Sequence, residues 1–162
     1  MANETLDYPV LYVFVRTDLQ SMIPGKAQAH SGHAANAFIN ENVIEKMQGG
    51  DKIDKNIWNW MQSTEHGFGT QINLKASWPE VFKAVELALD QRFHAGIISD
   101  PTYPYIVDDE IFGLINKDLH SAEPVKLENN KWACSRVEQT AAYIFGMKSK
   151  LVDIVGQFPL HP

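Results

Sequence analysis

The sequence predicts an α/β protein with a small, mixed, partly parallel four-stranded sheet covered by helices on both faces, in three layers. Three observations carry this. Short apolar runs at 10–16, 70–76, 95–99 and 140–145 alternate with helical patterns. The first helical pattern opens on small residues, Ala27, Ala34 and Ala35, which let a helix backbone approach a sheet closely. The chain has 162 residues, 44% hydrophobic and 21% charged, the profile of one ordinary globular domain that buries a core without staples.

The elements follow in order. Residues 10–16 (VLYVFVR) form a continuous apolar run rich in β-branched and aromatic residues, a buried strand. A loop over 17–25 contains Pro24-Gly25, and from Lys26 a helical pattern runs to about Met47, where Gly49-Gly50 ends it. Residues 54–65 give a second helix bearing Ile57, Trp58 and Met61, stopped by HGFG at 66–69. Residues 70–76 (TQINLKA) alternate as a strand does. Ser77, Pro79 and Glu80 then make a strong helix start, a capping serine with a glutamate three residues on and proline in the first turn. Val81, Phe82, Val85, Ala88 and Leu89 are its apolar face. Residues 95–99 (AGIIS) are a third strand, ending at Asp100. Residues 101–135 are irregular apart from a helical pattern over 111–119, residues 140–145 (TAAYIF) form the last strand, and 146–155 a terminal helix or turn. There is no internal repeat.

Composition excludes several classes. One cysteine, Cys134, allows neither an intramolecular disulfide nor a CxxC metal site. No apolar run approaches the ~20 residues of a membrane span, and the first seven residues lack the basic and apolar regions of a signal peptide. These features point to a soluble, cytoplasmic protein with no membrane partner. The net charge is −6, opposite to the footprint of a basic nucleic-acid-binding domain. That charge is uneven, however: residues 100–123 hold six acids against Lys117, so they carry −5 and the rest of the chain −1. A locally basic face around Arg16, Lys26 and Lys75 is compatible with this balance.

Two places suit chemistry. The first is the loop and helix start after the first strand: Arg16, Asp18, Gly25, Lys26, His30 and His33. Open α/β sheets bind ligands where a strand's carboxyl end feeds a helix, and the helix N-terminus favours anions. Lys26, His30 and His33 are spaced by four and three and share one helical face. They suit a phosphate or carboxylate, or they are solvated polar residues of an amphipathic helix. A Walker A loop is excluded, because Gln20 and Ala27 stand where it needs glycine and Ser or Thr. No third ligand stands at a meaningful spacing from His30 and His33, so no metal is assigned. The second place is Asp100, Thr102 and Tyr103 at the end of the third strand. Asp100 there acts as a base or orients a lysine, and Tyr103 and Tyr105 offer stacking surfaces. Ordinary turn chemistry is the other reading, since Asp-Pro starts turns. No GxSxG nucleophile elbow is present.

The run VFVRTDLQSMIPGKAQAHSGHAANAF resembles the opening of the type 2 peptidyl-tRNA hydrolases. Arg16, Asp18, Leu19, Gly25, Lys26, Ala29, His33 and Ala34 match that pattern in order, with His30 where the family has glutamine. Trp60, the stretch INLKASWPEVFKAVELAL and the stretch HAGIISDPTYP extend the likeness over about residues 10–105. The resemblance implies one domain over 1–162, with a family-atypical insertion at about 104–138. It further implies a mixed sheet covered by helices, commonly a homodimer, and hydrolysis of the ester between peptide and tRNA without a metal or cofactor. Its partner is the 3′ end of tRNA or peptidyl-tRNA. It casts Lys26, His33, Asp100 and Thr102 as catalytic and Arg16, Asp18, Gly25, His30, Tyr103 and Thr140 as substrate-binding. There are departures: Pro24 stands where the family has a lysine, and Pro101, Thr102, Tyr103, Pro104 and Tyr105 replace its Ala-Gly-x-Thr-Gln. They keep open an alternative, a binding module of this fold for a nucleotide, a tRNA end or a partner protein, without the chemistry.

Overall fold

The computed structural model describes residues 7–19, 21–115 and 120–161. The elements in chain order are β1 (Pro9–Arg16), α1 (Pro24–Ile39), a π-helical segment (Asn40–Ile44), α2 (Glu45–Gly49) and α3 (Lys55–Met61). Then come β2 (Gln71–Ala76), α4 (Trp78–Asp90), β3 (His94–Asp108) and α5 (Asp109–Phe112). Last are β4 (Val125–Lys126), β5 (Lys131–Met147) and α6 (Lys148–Val155).

The protein is mixed α/β with a partly parallel sheet in the order β2-β1-β5-β3, and β4 pairs with β5. β1 runs parallel to β2 and antiparallel to β5. The sheet has five strands rather than the expected four, because a strand of two residues is too short to show alternation. β3 also continues through Pro101 and Pro104, beyond its expected end at Asp100. Its place at the edge of the sheet explains this, since an edge strand tolerates proline's missing N–H.

The chain divides into two compact units: Met1–Ile97 with Ala141–Pro162, and Ile98–Thr140. β1 is the centre of the first, buried from Val10 to Arg16. Strand alternation sends Val10, Tyr12 and Phe14 to one face, where they meet Val81, Val85 and Ala88 of α4 and Leu151 and Ile154 of α6. On the other face Leu11 lies opposite Phe145 and Val13 opposite Tyr143. There Phe38 of α1 meets Phe145, Tyr143 and Trp60 of α3 with ring centroids 4.8, 5.4 and 5.7 Å away. Helices therefore flank both faces of this part of the sheet.

The helical run from Pro24 continues to Gly49 and ends at Gly50, φ 76°, as the sequence indicates, but it changes pitch on the way, and the next helix ends early. α1 gives way to the π-helical segment at Asn40, and the side chain of Asn42 donates to Phe38 O at 3.0 Å. That carbonyl is the one an α-helix offers to the residue-42 N–H. α3 stops at Met61: Ser63 Oγ donates to Trp60 O at 2.7 Å and Trp60 Nε1 to Thr70 O at 2.9 Å. Gly69 makes this closure fit, as a Cβ there would lie 2.6 Å from Ser63 Oγ and from the Trp60 ring. α4 begins as the sequence indicates, with Ser77 N and Oγ donating to Glu80 at 2.7 and 2.5 Å.

The second unit has its own aromatic centre. Phe112 and Trp132 stack at 4.0 Å, and His120 stacks on Phe112 and Tyr105 at 5.8 and 6.2 Å. Trp132 Nε1 donates to Asp109, and Arg136 lies over Tyr105 at 5.1 Å. A tight connection joins β4 and β5, closed by Leu127 N to Lys131 O at 2.7 Å. Asn129 and Asn130 sit there at φ of 61° and 55°, a left-handed conformation that asparagine tolerates better than most residues. The expected helix over 111–119 is reduced to α5 at Asp109–Phe112, and residues 116–119 lie outside the described residues.

Candidate functional site

Arg16 ends β1 and is only 7% exposed. A buried guanidinium needs a partner, and Asp18 supplies it in bidentate form: Nε to Oδ1 at 2.9 Å and a terminal nitrogen to Oδ2 at 2.6 Å. Asp18 also accepts the Trp78 backbone N–H at 3.2 Å, and the Arg16 guanidinium lies over the Trp78 ring at 5.2 Å. The pair therefore latches the carboxyl end of β1 to the first turn of α4. The Arg16 hydrogen bonds hold the Asp18 carboxyl below the usual carboxylate range.

The helix after this latch begins at Pro24, with proline in its first turn and no side-chain cap. Gly25 is exposed and Lys26 half-buried in that turn. The helix dipole gives this end a positive potential, and Lys26 adds to it. His33 is exposed further along the helix, whereas His30 is 5% exposed. Their rings meet edge to face at 5.6 Å. Beside them the buried Ser31 ties α1 to β2, donating to Asn73 Oδ1 at 2.9 Å and accepting from Gln71 Nε2 at 2.9 Å. The Lys26–His33 stretch is thus a half-buried cationic start followed by one inward and one outward histidine.

The remaining expected site residues belong to the second unit. Asp100 Oδ1 accepts the Thr102 N–H at 2.8 Å and its hydroxyl at 3.2 Å. This is an Asx turn, the turn chemistry that Asp-Pro suggests. Tyr103 is 2% exposed and Thr140 fully buried, with Thr140 Oγ1 unpaired among the described residues. The structure therefore joins Arg16 with Asp18, His30 with His33, and Asp100 with Thr102.

Sequence reasoning missed a polar network in the first unit. Asn42, from the π-helical segment, donates to Tyr143 OH at 3.2 Å and meets His94 Nδ1 at 2.8 Å. Tyr143 OH donates to Glu41, and His94 Nε2 lies 3.6 Å from Asp54. Burial, with Glu41 beside it, raises the Tyr143 phenol above its usual range. Gly96 lets β3 approach this ring, since a Cβ there would lie 2.6 to 2.9 Å from it. Single polar residues scattered over four elements leave no spacing pattern to find. The one local signal was Asn40 and Asn42 inside a helical run.

Among the described residues, no group of three or more His, Cys, Asp or Glu side chains is placed to hold a metal ion. No helix among them is long and apolar enough to cross a membrane. Cys134 is buried, and burial pushes its thiol up. No known family model matches the chain. No curated protein matches it either.

Proposed function

We propose that the chain hydrolyses the ester bond of peptidyl-tRNA, or of a related aminoacyl or nucleotide ester, as the type 2 peptidyl-tRNA hydrolases it resembles do. The supporting observation is the Arg16–Asp18 latch. Two motif residues of that resemblance bond to each other at the carboxyl end of β1. The helix that opens shortly after them carries the motif's Gly25, Lys26 and His33.

In this reading Lys26 and the uncapped helix start meet the negative charge that develops on the ester carbonyl oxygen. His33 takes a proton from water as the water oxygen bonds to that carbon, and returns it to the departing ribose oxygen as the carbon–oxygen bond breaks. The products are a free carboxylic acid and tRNA with its hydroxyl restored. The test is release of an N-acetylated amino acid from charged tRNA. The wild-type chain turns over, and Lys26→Ala and His33→Ala each lose on the order of 10²-fold. Wild-type release at the uncatalysed background rate refutes the reading.

Two observations favour the binding module instead. The Asp100 carboxylate closes its own turn onto Thr102, and Pro24 stands where the family has a lysine. Tight tRNA or nucleotide binding without turnover is the result that selects it.

A further inference from the structure

The geometry points to a second binding site in the first unit, for a nucleoside monophosphate, either free or at the end of a nucleic acid. None of the residues given a role in ester hydrolysis lines it, so it stands apart from that reading. The site is a cleft of about 550 Å³, inside the ~300–1,000 Å³ of small-ligand pockets. It opens where Thr17 and Ala76 close the parallel pair β1 and β2, with Thr17 N donating to Ala76 O at 3.0 Å. That is the end at which open α/β sheets take ligands.

Both walls are fixed. One is a single face of α4, where Glu80, Lys83, Ala84 and Leu87 recur at helical spacing. The other is the chain after α6, held along β2 by Lys75 N to Pro159 O at 3.0 Å and His161 N to Asn73 O at 2.9 Å. Phe158 anchors it, edge-on to Phe14 at 5.1 Å.

The lining chemistry selects the ligand class. Lys75 and Lys83 both line the cleft, and neither ammonium has an ion-pair partner among the described residues. Glu80 is the one acid of the lining, and its carboxylate accepts from Ser77 N and Oγ. Two ammonium groups against one engaged carboxylate suit a phosphate dianion better than a single carboxylate. Leu87 is 40% exposed and offers an aliphatic surface to a flat ring, above the buried Ala84 and Ile154 of the cleft floor. The Thr17 hydroxyl and the Gln157 amide both donate and accept, which matches ribose hydroxyls and a base edge.

Titration calorimetry of the full chain with AMP, adenosine, inorganic phosphate and triadenylate tests this. AMP binds, while adenosine and phosphate each bind at least about tenfold more weakly. Lys75→Met and Lys83→Met each weaken AMP by about tenfold, through loss of a charge-assisted contact. Methionine keeps α4's helix propensity at position 83, and an unchanged far-ultraviolet circular dichroism spectrum verifies the fold. Triadenylate binding tighter than AMP assigns the site to a nucleic-acid end, and AMP binding as tight or tighter assigns it to the free nucleotide. If neither nucleotide binds, or if both lysine variants bind AMP as wild type does, the proposal is overturned.

Discussion

Removing Asp18 should cost the protein about 2 kcal/mol. Breaking a fully buried ion pair costs ~3–5 kcal/mol, because the remaining charge is stranded, whereas an exposed pair is worth ~0–1 kcal/mol. The Arg16–Asp18 pair lies between these limits: the arginine side chain is 9% exposed and the aspartate 36%. Solvent screening at Asp18 discounts the buried figure, while the bidentate geometry and the Trp78 N–H keep the cost above the surface value. For a chain of this size ~1 kcal/mol is roughly 2–4 °C in Tm, so Asp18→Ala lowers Tm by about 4–8 °C. A double-mutant cycle with Arg16→Met isolates the pair, and its coupling energy is about 1 kcal/mol near neutral pH.

The pH dependence supplies a sharper check. Arg16 holds the Asp18 carboxyl below its ordinary value of 3.8. A depressed carboxyl contributes stability that is present above the unfolded-state pKa and is lost as pH falls through the folded-state pKa. The coupling therefore persists from neutral pH down past the ordinary carboxylate value and disappears in stronger acid. Urea unfolding followed by circular dichroism at several pH values measures it. A coupling below about 0.3 kcal/mol near neutral pH, within the error of additive sites, would refute the latch, as would one that grows on acidification.

Two further outcomes follow from the site and the core. Gly96→Ala places a Cβ 2.6 to 2.9 Å from the Tyr143 ring, and this overpacking costs ~1–3 kcal/mol in urea unfolding; an unchanged midpoint would show that the strand gives way freely. Asp100→Asn keeps an oxygen acceptor for the Thr102 N–H while removing the charge. If Asp100 serves only its turn, ester release and tRNA affinity both stay within about twofold, whereas a base role lowers turnover by ~10²-fold or more.

The first unit was legible because its signals are local and strong. The run 10–16 was apolar without a break, and β1 is buried from Val10 to Arg16. Ser77, Pro79 and Glu80 marked the start of α4 to the residue. The second unit was not legible, because its strands owe their existence to partners. β3 runs through two prolines that only a sheet edge tolerates. The Asn129-Asn130 pair was a hairpin signal in plain sight, hidden by flanks too polar to read as strands. The strand-end motif places Arg16 and Asp18 next to each other at the end of β1, but no spacing could show that His30 turns inward while His33 turns out. They stand three positions apart, and a helical face wide enough to hold both also spans the edge between core and solvent.

The charge balance now has a structural location. The second unit, Ile98–Thr140, holds eight acids against four bases, and the first holds twelve against ten. Most of the net charge of −6 therefore sits in the smaller unit. Some of it is internally engaged there, Asp109 with Lys126 and Glu138 with Arg136. The first unit is near neutral, and its lysines gather at particular places: Lys26 at the start of α1, and Lys75 and Lys83 in one cleft. Net charge governs long-range steering, whereas affinity for a phosphate depends on the few cations within a Debye length, ~8–10 Å at ordinary salt. An acidic chain is therefore no obstacle to an anionic ligand at these places.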